Sequence, residues 1–219
     1  RITEETTNLT NALKGNSKVQ GDWGEMILQT ILENSSLREG IHYFTQENLK
    51  DEHGANLRPD VILKLPGGKS IVIDSKVSLT AFVGYCEADE EPSRKRLMDE
   101  HIRSVRSHVT ELGAKKYQEL LDSPDFVIMF VPNEPAFLAA LQSDRTIWKE
   151  AYRKNVIVSS PTNLFALLKI FHDLWQRDEQ SRNAIDSAAE GARLYDKFVG
   201  LVSTLQTVGN SIGNAHAGY

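Results

Sequence analysis

Nothing restricts the fold of this 219-residue chain as tightly as residues 58–76, Arg-Pro-Asp-Val-Ile-Leu-Lys-Leu-Pro-Gly-Gly-Lys-Ser-Ile-Val-Ile-Asp-Ser-Lys. Two short strand-like runs flank Pro66-Gly67-Gly68, which suits a three-residue hairpin loop: proline pre-sets the turn and Gly68 supplies the left-handed position of the bulge. Leu65 then faces Lys69, and counting outward sets Asp60 opposite Asp74. Because side chains alternate along a strand, one face carries Asp60, Ile62, Lys64, Ser70, Val72, Asp74 and Lys76, and the other Val61, Leu63, Leu65, Ile71, Ile73 and Val77. The pattern predicts that the second face is core and the first holds the chemistry. A slip of one residue would separate Asp60 from Asp74, so turn chemistry and hydrophobic pattern support the same register.

Two carboxylates a cross-strand distance apart, roughly 5 Å between Cβ atoms, repel each other unless a proton or a cation sits between them. Hard oxygen ligands suit Mg²⁺ or Mn²⁺, which typically take one or two carboxylates and leave other positions to water and substrate phosphate. Lys76, next on the same face, can orient or activate a metal-bound water and offset charge developing on a scissile phosphate. These parts suit phosphodiester hydrolysis.

The remaining chain reads as alternating helices and strands. A helix is expected from about Val19 to Asn34 on a stripe of Trp23, Met26, Ile27 and Ile31, with Glu25 just off it beside Gly21 and Gly24. The residue types fit two roles for Glu25: a carboxylate aimed at the site by its small neighbours, or an exposed first-turn Glu favoured by the helix dipole. A strand at Tyr43–Glu47, a short helix at Leu79–Glu87 and a solvated acidic loop through Pro92 follow. The helix from about Ser93 to Leu121 has an apolar stripe of Leu97, Val105, Val109 and Leu112, with His101 and His108 near its edge. Its basic residues Arg94, Arg96, Arg103, Arg106, Lys115 and Lys116 make it the best candidate for DNA-backbone contact, against the alternative of a mixed-charge exposed helix. Phe126–Val131, between two prolines, fits a buried central strand. A helix over Glu134–Lys154, a strand at Val156–Ser159 and a helix capped by Thr162 or Asn163 complete an α/β domain with a mixed sheet. That last helix presents Leu164, Leu167, Leu168, Phe171, Leu174 and Trp175. Beyond it Ile185, Ala188, Ala192, Tyr195, Val199 and Val202 repeat as a short heptad seam, which needs a partner helix in residues 1–14 or another subunit. The Gly- and Asn-rich tail from Gly209 is expected to fray.

Composition sets outer limits. A net charge of −5 excludes a generic polyanion binder, so any DNA contact must be local. The lone Cys86 excludes an internal disulfide and fits a reducing cytoplasm. No run approaches the ~20 apolar residues needed to span a bilayer, and no signal peptide is visible. The start at Arg1 rather than Met suggests a core cut from a longer protein.

Pro59-Asp60 followed by Asp74-Ser75-Lys76 resembles the PD-(D/E)xK signature of a large nuclease superfamily. Gly21-Asp22-Trp23-Gly24-Glu25, Arg58-Pro59-Asp60-Val61-Ile62-Leu63, Ile73-Asp74-Ser75-Lys76 and Val131-Pro132-Asn133-Glu134 together resemble the RmuC family of bacterial DNA recombination proteins, from about Gly21 to beyond Trp175. The resemblance implies a restriction-endonuclease-like mixed sheet flanked by helices, with Asp60 and Asp74 binding Mg²⁺ or Mn²⁺, Lys76 as catalytic lysine and Glu25 as the acidic residue of the first helix. The organisation expected is the end of an upstream helix at 1–18, a nuclease-like core at 19–177 and a helical extension at 178–219. RmuC-like proteins usually carry an amino-terminal membrane segment and a long coiled coil, so the resemblance implies a cytoplasmic core with inner-membrane attachment only through a segment absent here. Its expected partners are DNA and, through the terminal helices, a second copy of the chain.

Three functions compete on this reading. The leading one is a metal-dependent nuclease acting in DNA recombination or repair. The others are a non-catalytic DNA-binding member of the same superfamily and a coiled-coil scaffold, which leaves the Asp-Asp-Lys face unexplained. No Gly-rich phosphate loop, Cys-His zinc spacing or nucleophile elbow supports another enzyme class.

Overall fold

The computed structural model describes residues 17–50, 56–75, 78–115, 117 and 126–217. They form two compact units, Arg1–Leu174 and Trp175–Tyr219. The first is built on a five-stranded mixed sheet, and α-helices outnumber strands by residue throughout. Its elements are α1 (Ser17–Glu33), β1 (Tyr43–Thr45), β2 (Leu49–Lys50), β3 (Asn56–Leu57), β4 (Val61–Lys64), β5 (Ser70–Asp74), α2 (Thr80–Glu87), α3 (Glu91–Ala114), β6 (Val127–Phe130), α4 (Glu134–Ser143), α5 (Ile147–Arg153), β7 (Val156–Ser159) and the first part of α6 (Pro161–Ala217). The strand order is β1-β4-β5-β6-β7, with β2 and β3 paired separately. β1, β4 and β5 run antiparallel, whereas β5, β6 and β7 are parallel.

The hairpin register is the one its turn chemistry dictates. Val61 pairs with Ile73, Ile62 with Val72, Leu63 with Ile71 and Lys64 with Ser70, and Leu65 N–H donates to Lys69 O at 2.7 Å. Extending that register one step sets Asp60 across from Asp74. Gly67 and Gly68 both take left-handed φ values, 81° and 85°, a conformation that costs glycine little and other residues much.

The division into a core face and a chemical face does not hold, because the sheet is covered on both sides. Val72 of the expected chemical face joins one apolar cluster with Val127, Met129 and Val156 of the parallel strands and with residues of α2, α3, α4 and α5. Ile71, Ile73, Ile128 and Phe130 of the opposite face are buried too. Parallel strands flanked by helices are buried on both faces, which is why β6 reads as a continuous apolar run. Polar residues on the covered face are satisfied locally, as where Lys64 donates to Ser70 Oγ at 3.1 Å.

Several helices differ from the periodicity reading. In α1 the buried positions are Gln20, Gly24, Leu28 and Leu32, while Met26 is exposed. Gln20 is buried because its side chain accepts from Leu79 N–H and donates to Thr80 Oγ1, at 3.1 Å each, at the start of α2. Glu91 and Pro92 belong to the first turn of α3 rather than to a loop, where proline's missing N–H is harmless and an acid favours the dipole. His101 lies in the middle of the buried face of α3 and not at its edge; Met98 is buried with it. The helix expected over Glu134–Lys154 is broken at residues 144–146. Asp144 Oδ1 accepts from both the N–H and the hydroxyl of Thr146, at 2.9 and 2.7 Å, a local turn that competes with helix continuation. Those Thr146 hydrogen bonds, aided by Arg106, hold the Asp144 carboxyl below its ordinary range against a smaller effect of burial.

The start of α6 is capped by Ser160, not by Thr162 or Asn163. Asn163 N–H donates to Ser160 Oγ and Leu164 N–H to Ser160 O. Leu164 and Leu168 then anchor the helix in the body. In the second unit the helix continues through Gly209 to Ala217 instead of fraying there. The seam residues Ile185 and Tyr195 are 69% and 68% exposed, and the partner segment expected at residues 1–14 lies outside the described residues. Among the described residues no helix is long and apolar enough to cross a membrane.

Candidate functional site

Asp74 ends β5, flanked by the parallel strand β6 at Met129, and its side chain is 2% exposed. Burying a carboxylate is costly unless a counter-charge and hydrogen bonds meet it. Here Lys115, just past the end of α3, places its Nζ 2.8 Å from Asp74 Oδ2, and the buried Tyr117 hydroxyl lies 3.4 Å from the same oxygen. The Lys115 ammonium also stands 5.6 Å from the centroid of the Tyr117 ring. Burial, then the charge and hydrogen bond of Asp74, then the charge of Asp60 push the Tyr117 phenol well above its ordinary value. Both carboxylates therefore act on one phenol, as a shared end of the hairpin requires.

Asp60 sits in the bend before β4, half-buried, and its Oδ2 accepts from Ser75 N–H at 2.6 Å. That bond fixes Asp60 to the residue following Asp74. Ser75 is buried, and its hydroxyl has no hydrogen-bond partner among the described residues. Gly24 of α1 lies directly over it. A Cβ at Gly24 would come within 3.0 Å of Ser75 Oγ and 3.3 Å of Pro132 Cγ, so the absent side chain is what lets α1 approach the strand ends.

Glu25, the next residue, is exposed and shares with Asp60 a cleft of about 250 Å³ that Thr45, Gln46 and Gln29 also line. Gln46 organises this cleft. Its backbone N–H donates to Asp60 O at 3.0 Å, its side-chain Nε2 donates to Glu25 Oε2 at 3.4 Å, and its side-chain Oε1 accepts from Arg58 at 2.6 Å. Glu25 and Asp60 are thus brought together, while Asp74 faces Lys115 and Tyr117 on the α3 side. Lys76 and Lys116 lie outside the described residues. Among the described residues no three His, Cys, Asp or Glu side chains stand close enough to hold a metal ion. The carboxylates of Asp60 and Asp74 are hard oxygen donors, the type that Mg²⁺ and Mn²⁺ take.

The cations expected along DNA have partners of their own. Arg106 bonds Asp144 at 2.6 Å and Thr146 at 3.0 Å and pairs with Glu150 at 3.3 Å. Arg96 pairs with Glu100 one turn on, Arg103 Nε donates to Asp99 O, and Arg94 donates to Ala88 O and stacks over Tyr85. Lys115 serves Asp74. Sequence reasoning missed Gln46, Ser75 and Tyr117; only Ser75, inside the Asp-x-Lys triplet, carried a positional signal.

The RmuC family model matches residues 1–219, the whole chain. The chain belongs to the RmuC family. It is 42% identical over its whole length to the DNA recombination protein RmuC of Escherichia coli K12, 42% to an RmuC homolog of Pseudomonas aeruginosa and 44% to one of Neisseria meningitidis serogroup B. The chain spans 46%, 49% and 38% of those proteins, less than half of each.

Proposed function

We propose that this chain acts in DNA recombination and that the open end of its β4–β5 hairpin is a centre for metal-dependent hydrolysis of DNA phosphodiesters, on a core of the PD-(D/E)xK nuclease type. The names of its relatives support the first part. The observation that carries the second is the hairpin register, which aligns Asp60 with Asp74 and fixes Asp60 through Ser75 N–H. Asp60 and Asp74 would hold Mg²⁺ or Mn²⁺, which when bound lowers the pKa of a water and offsets phosphate charge. The chain's own groups do the rest. Ser75 N–H holds Asp60 in place, Gln46 orients Glu25 at the mouth of the cleft, and Lys76 is the residue assigned to the attacking water.

A second reading, a DNA-binding member without catalysis, is favoured by the state of Asp74: nearly inaccessible and already met by an internal cation. A digestion panel of linear, circular and branched DNA with Mg²⁺ or Mn²⁺ separates the two. Wild-type cleavage that falls at least ~10²-fold in Lys76→Ala and disappears in Asp74→Ala supports the nuclease. A wild type that binds DNA and cuts no substrate with either metal leaves the binding reading.

A further inference from the structure

Residues 144–155, Asp-Arg-Thr-Ile-Trp-Lys-Glu-Ala-Tyr-Arg-Lys-Asn, mix two acids with four bases. The fold sorts them. At 100° per residue around α5, Ile147 and Ala151 fall on one side and both are 1% exposed. The two acids of the stretch, Asp144 and Glu150, are turned to Arg106 of α3. What remains outward is an aromatic stripe of Trp148 and Tyr152, one turn apart and 55% and 72% exposed, beside a basic stripe of Lys149 and Arg153 with Arg145 one turn ahead. Lys149 Nζ lies over the Trp148 ring, 5.5 Å from its centroid. Among the described residues no carboxylate pairs with Arg145, Lys149 or Arg153.

We infer that the outer face of α5 is a stacking platform for single-stranded DNA. Every base has a π-face, so two exposed aromatic rings at one-turn spacing accept successive unstacked bases without reading their identity. The adjoining cations meet the phosphates, in a protein whose net charge of −5 would otherwise repel them. Duplex DNA hides its base faces, so the aromatic stripe selects single strands. The choice of DNA over another single-stranded polyanion rests on the proposed role in recombination; the platform itself rests on the sorting of residues around α5.

The test is fluorescence anisotropy with a labelled oligo(dT) 20-mer and a duplex of equal length, in EDTA so that no cleavage intervenes, across a salt series. Wild type should bind oligo(dT) more tightly than duplex, with quenching of tryptophan fluorescence that is lost in Trp148→Phe. Trp148→Ala/Tyr152→Ala should weaken oligo(dT) binding roughly ten-fold or more and leave the salt slope unchanged. Lys149→Glu/Arg153→Glu should weaken it and flatten the log-log slope by about 0.7 per lost contact. Because these side chains are exposed, melting temperatures serve as the control for folding. Unchanged oligo(dT) affinity in the aromatic variant, tighter binding of duplex by wild type, or no binding at low salt each overturns the platform. A chain that cleaves DNA while the aromatic variant binds normally removes the platform and keeps the nuclease; loss of binding in that variant of a chain that never cleaves does the reverse.

Discussion

Lys115→Ala removes the ammonium that meets Asp74 while leaving the carboxylate in place. Deleting one partner of a buried ion pair costs about 3–5 kcal/mol, because the remaining charge is stranded in a poor solvent. The Lys115 side chain is 26% exposed, so water entering its place recovers part of that, and the Tyr117 hydroxyl stays near Asp74. A loss of about 2–4 kcal/mol is expected. For a chain of this size each kcal/mol lowers the melting temperature by roughly 2–4 °C, so a drop of about 5–15 °C should be seen in EDTA. Asp74→Asn should cost less, since the freed lysine can turn to water, and Lys115→Ala/Asp74→Asn should melt close to Asp74→Asn alone. That cycle isolates the pair energy. If Asp74 also takes a divalent cation, Mn²⁺ should raise the melting temperature of Lys115→Ala more than that of wild type, because there the metal has no ammonium to displace. Calorimetry in EDTA showing Lys115→Ala within a degree of wild type, or the double variant as unstable as Lys115→Ala, would refute the reasoning.

Two further outcomes follow from polar groups whose ionisation the fold shifts. The Nε2–H of His101 donates to Ala136 O at 3.0 Å and its Nδ1 has no partner among the described residues, beside the Phe82 ring where burial lowers its pKa against a smaller opposing effect of that bond. The folded protein therefore binds fewer protons than the unfolded chain near pH 6, so stability should fall as pH drops through ~6.5, by at most about 1.4 kcal/mol per pH unit. Urea titrations at pH 7.5 and 5.5 should show this excess loss in wild type and not in His101→Gln. Burial pulls the Glu134 carboxyl upward, but the Thr162 N–H and the Ser160 and Thr162 hydroxyls outweigh it and hold the group below its ordinary value. Its stabilisation is thus present above pH ~4.3 and lost on further acidification, and Glu134→Gln should cost about 1 kcal/mol at pH 7 by weakening the start of α6, measured as a shift in urea midpoint at unchanged slope.

The hairpin was legible through its turn. Pro-Gly-Gly fixes the loop length and so the facing of Leu65 and Lys69, from which the pairing of the two flanking apolar runs follows, although those runs are buried on both faces. The strands β6 and β7 were legible for a related reason, as apolar runs too short for a helix and bounded by proline or turn residues. Helix faces were read less well. In α1 the apolar residues Trp23, Met26, Leu28, Ile31 and Leu32 surround much of the helix, and only the packing of Gly24 against Ser75 and Pro132 decides that Leu28 and Leu32 point inward while Met26 is left out. The break after Ser143 turns on one aspartate whose side chain satisfies Thr146 locally, an outcome that periodicity does not register.

Charge was the property least readable from neighbours in sequence. Counting along the helix expected over Ser93–Leu121 makes it basic. Yet Arg106 is met by acids 38 and 44 residues later, and Lys115 by an aspartate 41 residues earlier. Each of those pairs has a second effect at its other end. Lys115 supplies a counter-charge to Asp74 in the core. Arg106 draws Asp144 and Glu150 inward, and so exposes a purely basic edge beside Trp148 and Tyr152. The same tertiary contacts that engage Arg106 and Lys115 within the protein leave a positive surface on α5. A charge-reversal at Arg106 is for that reason a poor probe of DNA contact: it would place a third acid beside Asp144 and Glu150, and any loss of DNA binding would follow from a displaced α5 as readily as from a lost phosphate contact.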